Sequence, residues 1–378
     1  MEQREQRSGK DMKKGGIKSE SSLINNSNAF ETPLQRSFEA FEEKEHYGKQ
    51  LNNADLYSRL FPAKPTKVFE TFWRFAAERQ NIFFRRLSNE RPPWTEDKIL
   101  QKYKFTNAYR ASDRVSQYMI RNVIYNGDWS NSDTVFRILL FRLFNKIETW
   151  EIISKEVGTI NYADYSYKCF DSILMKAMRS GSPIFSAAYI MPSRAKGLRL
   201  KRKHRNILRL IEMMIEDDLP LKLSESESME HAFELLKFYP LIGDFLAFQL
   251  VTDINYSKVL NFSEMQFVIP GPGAIDGIRK CFSDLGGINE MDLIRMVTER
   301  QDEFFNMLDI QFKTIWGRRL KLVDCQNLFC EISKYARIAH PDIQGNNKRK
   351  RIKQIFKPKL NKINYWYPPK WGINDAIA

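Results

Sequence analysis

The chain has 378 residues, and 43% hydrophobic content with 27 Phe, 15 Tyr and 7 Trp supplies the core of one large or two modest domains, which excludes disorder throughout. A formal net charge of +14 points to a polyanionic partner, nucleic acid first, without implying sequence readout. No apolar run is long enough to cross a membrane and the first residues are charged, so a soluble intracellular protein is expected, nuclear in a eukaryote and otherwise cytoplasmic.

Residues 1–63 are rich in Glu, Lys, Ser and Asn with alternating charge, the texture of a flexible arm. At Pro65 the pattern changes: Val68, Phe69, Phe72, Phe75, Ala76, Ile82, Phe83 and Leu87 form a wide apolar helical face. The segment Phe105–Arg121 is next predicted as one helix with two stripes. Ala108, Ala111, Val115, Met119 and Val123 would pack, while Asn107, Arg110, Arg114, Gln117 and Arg121 would face something polar.

Further helical runs are predicted at Val135–Trp150, Tyr167–Met178, Arg205–Ile215, Ala232–Phe238, Phe245–Val251, Met291–Phe312 and Cys325–Ile338. Strand-like alternation is limited to Phe185–Ile190 and Gln266–Ile269. The expected fold is mainly α: a multi-helical domain over 64–342 with flexible basic termini, the last being a basic and aromatic tail over 343–378. Its Tyr365-Trp366-Tyr367 and Trp371 would lay the tail back on the domain.

Several constellations could carry chemistry. Glu78 and Arg79 share a helix with Arg85 and Arg86, which suits an anion site and a salt-bridge ladder equally. Asp113 lies three residues after Arg110, close enough on a helix to aim its guanidinium at a phosphate, or to pair with it in the core. Gly243, in a tight connection before Phe245-Leu246-Ala247, could turn backbone N–H groups toward a DNA phosphate, and Asp253 could act as an acid or base or cap a turn. Gly271 and Gly273, set between prolines, permit close approach of a ligand or a tight turn.

Asp324, Asn327, Glu331 and Lys334 share one stripe of the last long helix. The basic runs containing Arg199, Lys201, Arg202, Lys203 and Arg205, and Lys348, Arg349, Lys350 and Arg351, suit phosphate contacts, nuclear import or a solvated surface. The four cysteines form no CxxC pair and the four histidines have no metal-ligand spacing, so neither zinc nor a disulfide framework is expected, only buried thiols. No GxxxxGK[S/T], GxGxxG or GxSxG segment occurs, so no cofactor is expected.

The succession Glu78-Arg79, Arg85-Arg86, Pro93-Trp94-Thr95, Phe105-Thr106-Asn107, Tyr109-Arg110 and Asp113-Arg114 resembles the all-helical domain of phage 5-hydroxymethyluracil DNA kinases, also found in α-glutamyl/putrescinyl thymine pyrophosphorylases. The similarity continues through Ala188-Tyr189, Gly243, Thr252-Asp253, Gly271-Pro272-Gly273-Ala274 and Glu331 with Lys334-Tyr335, over roughly 66–340.

The resemblance implies a fold distantly like helix-hairpin-helix DNA glycosylases and action on modified thymine in DNA, with an amine or amino acid as co-substrate. Displacement of phosphate or pyrophosphate would use Arg79, Arg110, Asp113, Arg114, Asp253, Glu331 and Lys334. Trp94, Asn107, Tyr109, Gly271 and Gly273 would bind the substrate, an extrahelical base stacking on Trp94 or Tyr109 and the glycine loop helping to stabilise the leaving group. The missing P-loop argues against phosphorylation by these residues. The alternatives are a non-catalytic module that binds modified thymine or duplex DNA through its basic patches, and a helical RNA-processing or scaffold protein.

Overall fold

The structure is a computed structural model and describes residues 62–186, 197–358, 360 and 364–377. The charged arm, apart from its last two residues, and the Ala188-Tyr189 pair lie outside the described residues, as does most of the candidate strand at Phe185–Ile190.

Helix dominates. The first, α1 (Lys67–Leu87), starts where the Thr66 side chain accepts the Val68 N–H, and it buries Phe69, Phe72, Trp73 and Phe83 at 0–1% exposure. A short α2 (Lys98–Lys102) is capped by the Asp97 carboxylate at Ile99 N and Leu100 N. The region predicted as one helix over Phe105–Arg121 is not one. It is a 3₁₀ turn (Arg110–Ser112), a single α-turn α3 (Arg114–Tyr118) and a π-helical stretch (Met119–Ile124).

The Arg110 N–H, which a continuous helix would give to the Thr106 carbonyl, goes instead to Asp324 Oδ1 at 2.8 Å, and that carbonyl accepts Arg79 Nε; the Asn107 N–H donates to Asp113 Oδ1, also at 2.8 Å.

The following helices are α4 (Asn131–Phe144), α5 (Ile147–Val157), α6 (Tyr167–Arg179), α7 (Lys203–Glu216), α8 (Leu219–Ser224), α9 (Met229–Lys237), α10 (Asp244–Ile254) and α11 (Pro272–Cys281). The run predicted as continuous over Val135–Trp150 breaks at Asn145, whose φ of 49° is left-handed. The next pair, α12 (Glu290–Glu299) and α13 (Gln301–Met307), splits the predicted Met291–Phe312 run at Arg300. The chain's second long helix is α14 (Leu322–Ala339). The only sheet among the described residues is β1 (Lys64–Pro65) antiparallel to β2 (Phe282–Asp284); Gln266–Ile269 is irregular. No helix of the described residues is long and apolar enough to cross a membrane.

The aromatic tail is laid back on the core. Tyr367 is fully buried with its OH 2.7 Å from Ser112 Oγ, and Trp371 stacks on it at 5.7 Å. All four cysteines are free. Cys281 and Cys325 are buried as expected, but Cys169 is exposed.

The glycines explain how α11 meets α14. A Cβ on Gly273 would stand 2.4 Å from Cys330 Sγ, and one on Gly277 would stand 1.9 Å from the Phe329 carbonyl oxygen. The second obstacle is backbone and cannot rotate away. In an exposed helix Gly→Ala gains about 1 kcal/mol. Here overpacking costs about 1–3 kcal/mol and the collision is with a carbonyl, so Gly277→Ala is expected to lower unfolding stability by about 2 kcal/mol in urea titrations. Unchanged or increased stability would contradict the close approach of the two helices.

Candidate functional site

Two polar clusters lie on either side of the Phe105–Asp113 loop. In the first, α1 brings Arg79 against the loop: its Nε donates to the Thr106 carbonyl at 2.8 Å and its Nη2 to Asn107 Oδ1 at 3.2 Å. The last helix supplies the opposite wall. Glu331 Oε2 accepts the Thr106 N–H at 3.0 Å and the Lys334 ammonium at 2.8 Å, and Asn327 Nδ2 donates to Thr106 Oγ1 at 3.0 Å. Lys334 also lies 4.5 Å over the Phe105 ring. Arg79, Asn107, Asp113, Glu331 and Lys334, scattered through the sequence, are therefore brought together.

Charge is tuned there. Burial pushes the Asp113 carboxyl up to about 7, against the Asn107 N–H that holds it down and with Glu331 adding to the rise. Burial lowers the Arg79 guanidinium from its ordinary value, while the Asp113 and Glu331 charges raise it. A carboxyl titrating near neutrality beside a guanidinium fits general acid or base work.

The second cluster is an ion triad in the core. Asp253, at 0% exposure, receives Arg110 Nη2 at 2.8 Å and Arg142 through Nη2 at 3.0 Å and through Nε. Arg110 continues to Gln249 Oε1 at 3.0 Å and Tyr256 OH at 3.2 Å, and Arg142 Nη1 to Asn145 Oδ1 at 2.8 Å. A carboxylate between two guanidinium groups, with no solvent contact, serves as their counterion. This corrects the expectation for Asp253 as an acid or base and for Arg110 as an arm held by Asp113 and aimed at a leaving group. Arg110 is aimed inward, and Asp113 turns to the Asn107 backbone.

The remaining expected residues separate. Arg114 is exposed, whereas Arg110 is buried. Trp94 is 5% exposed, with Arg86 5.1 Å above its ring and Phe356 packed edge-on at 6.3 Å; Tyr109 is 1% exposed and donates its OH to the Arg318 carbonyl. Neither ring has a face open to an extrahelical base, which corrects the stacking roles. Gly271 and Gly273 serve packing, since a Cβ on Gly271 would stand 2.6 Å from the Phe245 ring.

Gly243 caps α10 in open space, but between residues 212 and 244 nine carboxylates stand against two lysines, a poor setting for DNA phosphate. Of the basic runs, Arg199, Lys201, Arg202 and Lys348–Arg351 are exposed, whereas Lys203 lies 4.5 Å over the Phe185 ring and Arg205 pairs with Asp171 at 2.7 Å.

Beside the first cluster opens a cleft of about 670 Å³ lined by Glu78, Asp97, Asp309, Arg74, Asn81 and Tyr335, among others. Phe75, also in its wall, packs on Phe105 at 5.4 Å, so the cleft is one aromatic layer from Lys334. Sequence reasoning missed Arg142 and Thr106. Arg142 did carry a signal: an arginine inside the apolar run Val135–Phe144 requires a buried counterion. Thr106 carried none, because its bonds to Arg79 and Glu331 are made by its backbone carbonyl and N–H.

The Asp113 shift makes stability pH-dependent. Between its ordinary 3.8 and about 7 the folded state keeps a proton that the unfolded chain has lost, so this group's contribution falls as pH rises through that window. Asp113→Asn keeps an oxygen for the Asn107 N–H and removes the titration. The difference in stability, variant minus parent, is expected to grow in the variant's favour from pH 4.5 to 7.5 in urea unfolding. A difference independent of pH would place Asp113 at an ordinary carboxyl value.

A family model described as "5-hmdU DNA kinase, helical domain" matches residues 66–345. The chain is also similar to the 5-hmdU DNA kinase of Bacillus phage SP10, at 28% identity over 310 residues, which cover 76% of this chain and 48% of the relative. It therefore spans about half the length of the curated relative it matches. No solved structure matches the chain. The chain belongs to the 5-hmdU DNA kinase helical domain family.

Proposed function

We propose that this chain modifies hydroxymethyluracil-type bases in DNA, and that it acts on a base already carrying a phosphate or pyrophosphate ester by exchanging that group for an amine or amino acid. The observation that carries the reading is the gathering of Arg79, Asp113, Glu331 and Lys334 around one loop inside the family match over 66–345. The segment shared with the phage kinase is helical, and the 378 residues contain no GxxxxGK[S/T] loop, so phosphoryl transfer is not assigned to these residues.

In the proposed step the bond between the exocyclic carbon and the ester oxygen breaks, and its electron pair leaves on the phosphate. The guanidinium of Arg79 and the ammonium of Lys334 lower the cost of that developing charge. The amine nitrogen bonds to the same carbon and gives its proton to a carboxylate, for which Asp113 and Glu331 are the candidates. The cleft lined by Glu78, Asp97 and Asp309 suits the amine in its cationic form, which gives a first proton to a carboxylate or to solvent before its nitrogen attacks and a second once the new bond has formed.

A second reading is favoured by a specific observation: Arg79, Asn107 and Glu331 are already bonded to one another's loop, as a structural network would be. In that reading the domain binds modified or duplex DNA without changing it.

Incubation with DNA bearing 5-hydroxymethyluracil or its phosphate or pyrophosphate ester, plus amines, followed by nucleoside mass analysis, separates the two. Exchange is expected on an ester, with Glu331→Gln slowed by about 10²-fold or more and Asp113→Asn losing the limb of the rate profile near pH 7. Salt-dependent binding with no mass change would establish the binding module and end the transfer proposal.

A further inference from the structure

The tail carries its charge on a fixed support. Residues 348–357 hold Lys348, Arg349, Lys350, Arg351, Lys353 and Lys357 without one acidic residue, and all six are exposed. The segment is pinned along its length. Before it, the Asn347 N–H donates at 2.7 Å to Asp276, a fully buried carboxylate that also takes the Ser333 hydroxyl and the Lys280 ammonium. At its middle, Arg337 Nη1 donates to the Arg351 carbonyl at 3.3 Å. At its end it pairs antiparallel with the chain after α2: the Lys104 N–H donates to the Gln354 carbonyl and the Phe356 N–H to the Lys102 carbonyl, both at 3.0 Å.

That pairing puts exposed Lys102 opposite Phe356 and exposed Lys104 opposite Gln354, one residue along the tail from exposed Lys357 and Lys353. Among the described residues none of these four lysines has a carboxylate partner. Exposed cations carried on a backbone pinned by hydrogen bonds meet a polyanion without the cost of ordering that backbone. The ridge also ends where the candidate site begins, because Lys104 immediately precedes Phe105, whose ring lies under Lys334. The acidic stretch around Gly243 would repel the same ligand.

We propose that Lys102, Lys104, Lys353 and Lys357 form a track for the DNA phosphate backbone that seats the duplex beside the Thr106–Asn107 loop. The proposal rests on the reading that the chain acts on DNA and adds where the backbone lies.

It is tested with an unmodified duplex, so that the result does not depend on base chemistry. Binding is followed by fluorescence anisotropy from roughly 50 to 200 mM salt for the parent, the triple variant Lys104→Gln, Lys353→Gln, Lys357→Gln, and a control with Lys155→Gln, Lys222→Gln, Lys237→Gln. The triple variant is expected to bind about 10-fold or more weakly and to lose about 2–3 units from the slope of log K against log salt, the control neither. If the triple variant fails to melt cooperatively, Lys353→Gln alone is expected to lower the slope by about 1. A slope and affinity matching the parent, an equal loss in the control, no duplex binding by the parent, or tighter binding to RNA than to this duplex would overturn the track.

Discussion

The rest of the structure depends on Asp253 and the two arginines that enclose it. Asp253 closes α10, Arg142 closes α4 and Arg110 opens the 3₁₀ turn, so one carboxylate joins three segments distant in sequence. Charges this deep are tolerable only in complete sets, and removing one member of a buried ion pair costs about 3–5 kcal/mol because the other is left unpaired. With Arg110 drawn inward and its N–H given to Asp324, the preceding loop stays out of helix. The Thr106 and Asn107 backbone is then exposed to Arg79, Asp113 and Glu331. The polar site is thus a consequence of the ion triad behind it.

That ordering separates arginines that look alike in sequence. Arg110 and Arg142 are structural cations with their anion supplied, Arg79 is a buried cation facing two carboxyls, and Arg114 is solvent-facing. Surface charge is divided as sharply, between a carboxylate-rich stretch over 212–244 and a tail segment with no acid over 343–374. A net charge of +14 says little of this, because it averages two surfaces of opposite preference.

The helical class and most helices were legible in the apolar spacing of such runs as Tyr167–Met178 and Cys325–Ile338, and the polar stripe Asp324-Asn327-Glu331-Lys334 was read on the correct helix. The failure at Phe105–Arg121 has a plain cause. Its stripes fit a helix, but Asp324, more than two hundred residues away, takes the Arg110 N–H that the helix needs, and Arg79 takes the Thr106 carbonyl that would have accepted it. Trp94 and Tyr109 looked like stacking platforms because sequence does not tell a buried aromatic from an open one. Gly271 and Gly273 looked like a ligand loop, but what they admit is the Phe245 ring and the Cys330 side chain of α14. The pairing of Lys102–Lys104 with the tail depends on backbone hydrogen bonds that leave no mark on side-chain pattern.

The most direct test of this account is a double-mutant cycle between Arg110→Met and Asp253→Asn, read as unfolding free energy in urea. If the triad fixes the loop, the double variant falls short of the summed single losses by about 2–3 kcal/mol, since Asp253→Asn leaves the Arg110 guanidinium buried without its anion and Arg110→Met removes that penalty in advance, Asp253 keeping Arg142 in the single Arg110 variant. Additivity within about 0.5 kcal/mol would show that the two residues act independently and would contradict the dependence of the site on Asp253.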